Sequence, residues 1–192
     1  MRSTVWRKRR SIRESNSVTT FARTLRNILR HDPDVIIVGE IRDRETAEIA
    51  IQASLTGHLV LASLHTNTAG AAITRLTDMG VEPYLIASSL RGVLAQRLVR
   101  KLCVACRKAH AVAADEAALL TAHGIGGAVG LAQLWSADGC NVCGGSGYRG
   151  RMGLYRWLPA GAEVTHAIHN RKADTDIENI AIDAGWPTLA AD

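Results

Sequence analysis

From Phe21 to Arg30 the apolar residues Phe21, Leu25, Ile28 and Leu29 recur at helical spacing, with Arg23, Arg26 and Arg30 on another side, which predicts a short amphipathic helix. His31-Asp32-Pro33-Asp34 stops it, because the ring of Pro33 disfavours helix in the residue before it. The period then disappears. Val35-Ile36-Ile37-Val38 is a run of β-branched residues that reads as a buried strand ended by Gly39-Glu40. Arg44 to Leu55 is helical again and Gly57 closes it as a C-cap, after which His58 to Leu64 reads as a second buried strand. Two further helices are predicted, Thr68 to Met79 and Pro83 to about Ala95. Alternation of strand and helix argues for an α/β fold with a parallel sheet and crossover helices.

The texture changes at Leu102. Two cysteine pairs bracket Ala109 to Trp135, a segment rich in Ala and Gly with one helix predicted near Ala114 to His123, and the whole reads as an insertion held by metal. Beyond Tyr148-Arg149-Gly150-Arg151, a strand is predicted over Met152 to Leu158 and two terminal helices over Glu163 to Asn170 and Asp174 to Ala184.

Charge changes this picture little outside the amino end. Net charge is +5, but six of the 23 Lys and Arg residues lie within the first 13 positions, leaving 17 against 18 acidic residues in the remainder. A near-neutral remainder argues against a nucleic-acid-binding face, and no nucleic acid is expected as a partner. For the basic arm two readings stand: a solvated, disordered tail, or contact with acidic lipid or nucleic acid. It carries no apolar segment of the secretory kind, and no apolar run approaches the roughly 18 residues of a membrane span. A cytoplasmic protein is expected.

Four groups of residues carry candidate chemistry. Asp34 to Glu40 describes a buried strand that delivers an acid at its carboxyl end, where open α/β sheets bind ligands. Such a carboxylate can hold water on Mg²⁺ or orient the water that attacks a γ-phosphate, although many buried strands end in an acid without any such role. The second strand ends in Leu64-His65-Thr66-Asn67, so His65 would converge with Glu40 on one sheet edge or else serve a structural purpose. Arg26, Arg30, Arg42 and Arg75 suit phosphate or intersubunit contacts as well as they suit a solvated helix face. Cys103-Val104-Ala105-Cys106 and Cys140-Asn141-Val142-Cys143 are two Cys-x-x-Cys pairs 33 residues apart, with Gly144, Gly145 and Gly147 easing the turn after the second. Four thiolates without an open position make a structural Zn²⁺ site. Free cysteines, a redox pair and an iron–sulfur cluster are the alternatives.

Taken together, Thr20 to Asp34 leading into Val38-Gly39-Glu40-Ile41-Arg42-Asp43, then Gln52 to His58, Leu64 to Asn67, Thr74-Arg75-Leu76 and Gly92 to Arg100 resemble the ATPases of type II secretion and type IV pilus assembly. These are the general secretory pathway protein E-like traffic ATPases. The tetracysteine module and Gly147 to Arg151 resemble the metal-binding insertion of the secretion and assembly members, which the retraction ATPases lack. The resemblance covers about nine-tenths of the chain, leaving residues 1 to 17 unmatched.

It implies a RecA-like motor that works as a homo-hexameric ring on ATP and Mg and passes its movements to inner-membrane platform proteins, making the chain peripheral to that membrane. Glu40 would be the Walker B acid and His65 part of the histidine box near the γ-phosphate; Arg26, Arg30, Arg42 and Arg75 fall on arginines that support catalysis or subunit contacts. The implied organisation is a basic arm over 1–17, a partial ATPase domain over 18–101, the zinc-binding insertion over 102–148 and the ATPase domain's last strand and helices over 149–192. Two departures stand out. No Gly-x-x-x-x-Gly-Lys-[Ser/Thr] occurs in the 192 residues, and Arg156 stands where the family often has Glu. The expectation is a C-terminal fragment, inactive alone, with apolar surface left exposed by an incomplete sheet. The alternative is an interaction module whose zinc lobe docks on a platform protein or an intact ATPase ring.

Overall fold

The computed structural model describes residues 10–12, 21–31, 33–122, 133–186 and 189. Its elements in chain order are β1 (Arg10–Ile12), α1 (Phe21–Leu29), β2 (Val35–Val38), α2 (Arg44–Leu55), β3 (Leu59–Ala62), α3 (Ala69–Asp78), α4 (Pro83–Ser89), β4 (Gly92–Leu102), β5 (Lys108–His110), α5 (Ala114–Ala122), β6 (Leu134–Ser136), β7 (Tyr148–Pro159), α6 (Ala162–His169) and α7 (Asp174–Asp183). They fall into two units: residues 1–93 with 158–183, and residues 94–157 with 184–192.

The first unit is built on a parallel sheet in the order β1-β2-β3. Val35 pairs with Leu59 and Val38 with Ala62, while Arg10 pairs with Ile36 and Ile12 with Val38. Arg10–Ile12, expected within a disordered arm, are thus a strand; the rest of 1–17 lies outside the described residues. Ile36 and Val38 of the central strand are almost wholly buried, as are Leu25 of α1, Ile73 of α3, Ile86 of α4, Leu158 of β7 and Ile177 of α7. Each such side chain stabilises the fold by about 1.5–3 kcal/mol relative to its exposed state.

Helix α2 occupies the span that its pattern predicted. Asp43 caps it, accepting from the Thr46 N–H at 2.8 Å and the Thr46 hydroxyl at 3.1 Å. At the other end the Gly57 N–H reaches the Ser54 carbonyl at 3.2 Å and the His58 N–H reaches Ala53 at 3.1 Å. This double closure requires the left-handed backbone that Gly57 supplies with φ of 102°.

Two further elements differ from the sequence expectation. The second strand is shorter than His58 to Leu64 and is not buried: Leu59 and Leu61 are about half exposed, because β3 pairs only with β2 among the described residues. The helix expected from Pro83 to about Ala95 stops at Ser89, and Gly92–Leu102 is a strand paired with β7. Its Leu, Ala, Gln and Arg residues favour helix locally, but a strand partner more than forty residues away overrides that weak preference.

The second unit contains most of the β4–β7 ribbon and an antiparallel pair in which Lys108 faces Ser136 and His110 faces Leu134. Trp135 lies under the Arg107 guanidinium at 4.2 Å, and Tyr148 under that of Arg100 at 3.9 Å, both cation–π contacts. Helix α5 is tied to β5 by Glu116, which accepts from the Ala113 N–H at 2.9 Å and lies 3.0 Å from Nε2 of His110. Those contacts, the N–H first, hold the Glu116 carboxyl below its ordinary pKa. His123, expected at the end of α5, lies outside the described residues.

Candidate functional site

Parallel pairing brings the carboxyl ends of β2 and β3 side by side, and the backbone stitches them together beyond their last residues. Ile41 N–H donates to the Ser63 carbonyl at 3.0 Å, and the Ser63 hydroxyl donates to the Gly39 carbonyl. Glu40 and His65 emerge from these joined segments, with Glu40 Oε1 3.4 Å from His65 Nε2. The other carboxylate oxygen, Oε2, accepts from Arg42 Nε at 2.7 Å. Glu40 is largely covered, with 22% of its side chain exposed, whereas His65 is 86% exposed. The arrangement is an anchored carboxylate beside an exposed imidazole at the carboxyl edge of the sheet. Such a pair can orient a water molecule or hold one on a bound cation.

Of the four arginines, only Arg42 is shown against Glu40. Arg26 pairs with Glu45 of α2 at 2.8 Å, across an exposed surface. Arg30 is exposed just after α1, and Arg75 is exposed on the last turn of α3. The Arg42–Glu40 contact, two residues apart at a strand end, had no distinct signal in the pattern. Nor did a contact at the far side of the histidine segment, where the carboxylate of Glu178 in α7 accepts from the Gly70 N–H at 2.6 Å.

The four cysteines gather at one point of the second unit, their sulfur atoms all within 4.8 Å of one another. Cys103 Sγ lies 4.0 Å from Cys140 Sγ, and Cys143 Sγ lies 3.8 Å from both Cys106 and Cys140. A tetrahedral zinc ion with Zn–S bonds of about 2.3 Å requires sulfur–sulfur separations of about 3.8 Å. The donor set therefore fits zinc, which would be held by Cys103, Cys106, Cys140 and Cys143 and would supply a structural cross-link. Backbone geometry prepares the site: Cys103 N–H reaches the Gly147 carbonyl at 2.9 Å, joining the two cysteine turns. Cys143 Sγ accepts from the N–H groups of Cys140 and Gly147, each at 3.2 Å.

These contacts separate the thiols. Burial pushes the Cys143 thiol up, but the two N–H donors and the neighbouring thiols outweigh it and bring the group down to about 6. For Cys106 burial prevails over an N–H from Gly139, and with the surrounding thiols it pushes the group up to about 12. A metal ion would displace the Cys106 proton and meet a Cys143 thiolate already formed.

The first unit thus carries an acid and a histidine at one sheet edge, and the second carries a four-thiol cluster. The chain belongs to the type II/IV secretion system protein family, whose model matches residues 7–192, so the match begins inside the arm that the resemblance had left out. It is 53% identical over 173 residues to the type II secretion system protein E of Pseudomonas aeruginosa, covering 90% of this chain and 34% of that protein. It is 50% identical over 173 residues to the type IV pilus assembly ATPase PilB of Thermus thermophilus, covering 90% of this chain and 19% of that one. The crystal structure of the pilus retraction motor PilT with bound ADP shares the fold, with a TM-score of 0.56 and 28% identity over 88% of this chain and 37% of that chain. The chain thus spans about a third of the length of the secretion-system relatives it matches. No helix among the described residues is long and apolar enough to cross a membrane.

Proposed function

We infer that this chain is the C-terminal part of an ATPase that drives type II secretion or type IV pilus assembly. The observation that carries this reading is the meeting of Glu40 and His65 at the carboxyl ends of two adjacent parallel strands, 3.4 Å apart. Glu40 acts as the Walker B acid that orients water or holds it on Mg²⁺, and His65 stands by the γ-phosphate. Arg42 fixes the Glu40 carboxylate through Oε2. Arg26, Arg30 and Arg75 serve phosphate or neighbouring subunits once a RecA-like hexameric ring assembles at the cytoplasmic face of the inner membrane. The four-cysteine lobe holds zinc as a structural element.

Without a Gly-x-x-x-x-Gly-Lys-[Ser/Thr] segment the 192 residues have no backbone cradle for the β- and γ-phosphates, and by themselves turn over little or no ATP. The test is Mg-ATP hydrolysis by the zinc-loaded chain alone and by a chimera in which it replaces the matching third of the Pseudomonas relative. The chain alone is expected to be silent, and the chimera active and silenced at least a hundredfold by Glu40→Gln. Hydrolysis by the lone chain that Glu40→Gln abolishes would show the phosphate loop to be dispensable. An active chimera indifferent to Glu40→Gln would remove Glu40 as the Walker B acid, and a folded chimera without hydrolysis would remove the ATPase reading.

One observation favours a second reading, an interaction module. The β4–β7 ribbon exposes Leu94, Leu98, Met152 and Tyr155 at 49–58%, a surface that suits docking on a platform protein or an intact ring. Inhibition of the intact relative's ATPase by added chain would support it.

A further inference from the structure

We propose that Glu178, in the last helix, is a positioning residue for His65: its carboxylate closes the start of α3 and so fixes the segment that carries the imidazole. The proposal rests on the reading of Glu40 and His65 as the reacting pair. His65 sits in a six-residue link, Ser63 to Thr68, between β3 and α3. At its first residue the link is tied to the β2 side by the Ile41–Ser63 and Ser63–Gly39 bonds. At its last residue it is as firm as the first turn of α3.

That turn opens with backbone N–H groups that have no partner within the helix. Thr68 satisfies one, accepting from the Ala71 N–H at 3.0 Å. The Gly70 N–H is taken by Glu178 Oε1 at 2.6 Å, a contact between residues 108 positions apart. A carboxylate there also meets the positive end of the helix. The fit is close on both sides: a Cβ on Gly70 would lie 2.6 Å from the Asp174 carbonyl oxygen and 3.1 Å from Glu178 Cγ. Glycine at position 70 is what lets α7 approach closely enough for Glu178 to reach. Ile177, on the same helix, is buried beside it, so the carboxylate is presented from an anchored backbone. Because the link is held at one end by β2, which also delivers Glu40, any loosening at Gly70 is taken up by the residues between, His65 among them.

The experiment uses the full zinc-loaded chain without nucleotide. Amide exchange is followed along α3, and the ¹³C and ¹⁵N signals of the His65 imidazole are recorded with and without Glu40→Gln. In the parent protein the His65 signals are expected to respond to Glu40→Gln. In Glu178→Ala the amides of Gly70 to Ala72 should exchange about tenfold faster or more while Ile73 to Thr77 stay protected, and the His65 response should collapse. Glu178→Gln, which keeps an acceptor, should restore most of the response. Gly70→Ala attacks the contact from the other partner and should reproduce the Glu178→Ala result. Faster exchange with an undiminished His65 response in both variants would reduce Glu178 to a helix cap and overturn the proposal, as would unchanged exchange. These readouts involve no ATP, so their failure is separate from that of the chimera assay.

Discussion

Asp43 joins the candidate acid to the helix behind it, and its replacement tests whether that joint is as firm as its geometry implies. In Asp43→Ala the Thr46 N–H loses its cap, which costs about 1 kcal/mol, and the favourable charge at the helix start is lost for about another 0.3–1 kcal/mol. The Thr46 side chain is a further matter: Thr46 is 1% exposed and its hydroxyl donates to Asp43 Oδ2 at 3.1 Å. Leaving that buried hydroxyl without its acceptor adds roughly 1 kcal/mol or more. The total is about 2–3 kcal/mol, equivalent to opening α2 roughly 30- to 160-fold more often. Amide exchange of Ala47 to Ile51 under conditions where exchange follows the opening equilibrium reads this directly. Asp43→Asn keeps the acceptor and should cost less than half as much. Thr46→Val alone should cost less than Asp43→Ala, and the double variant should lose less than the sum of the two. If Asp43→Ala changes protection by less than twofold, or Asn does no better than Ala, the cap is not what holds α2.

The purified chain should carry one zinc per molecule by elemental analysis, and Cys143→Ser should abolish tight binding and remove the cation–π arrangement of Trp135 on Arg107, read as a fluorescence change. In the metal-free lobe Cys143 is brought from its ordinary value of 9.0 down to about 6, so its contribution to stability is complete above about pH 9 and is lost as pH falls through 6. Cys106, raised to about 12, works in the opposite sense: its contribution is complete below about pH 9 and is lost as pH rises through 12. The destabilisation of the chelated protein by Cys143→Ser should therefore grow between pH 6 and 9 in thermal melts; a constant difference would contradict it. Gly57→Ala places an L side chain at φ of 102° with no neighbour within 4 Å, so the cost is backbone strain alone, about 1–2 kcal/mol by chemical denaturation, and Gly57→Asn should cost less. Leu158→Ala, at a position with no exposure, should cost about 2–5 kcal/mol by the same measurement.

What the amino-acid order revealed and what it concealed divide by the range of the interaction responsible. Helix α2 was legible because its period and its closing glycine lie within the fourteen residues from Arg44 to Gly57 and act on one another directly, whereas the Asp43 cap was found only in the structure. The cysteine cluster was legible because a Cys-x-x-Cys turn fixes each pair locally, leaving only the meeting of two turns to the fold. The strand β4 was misread for the opposite reason: its residues favour helix, and only pairing with β7 makes it a strand. Burial of β3 was misjudged because apolar character shows what a strand can bury, while the neighbours that would cover Leu59 and Leu61 are set by the rest of the sheet. The candidate site shows both sides of this division. Glu40 and His65 could be placed at strand ends from pattern alone, since parallel pairing carries both ends to one edge. The bond from Glu178 to Gly70 was invisible, because a glutamate in a terminal helix and a glycine in a central one carry no mark of each other. The same long-range dependence makes Glu178 worth testing: a residue that local sequence cannot explain is held by the geometry it helps to maintain.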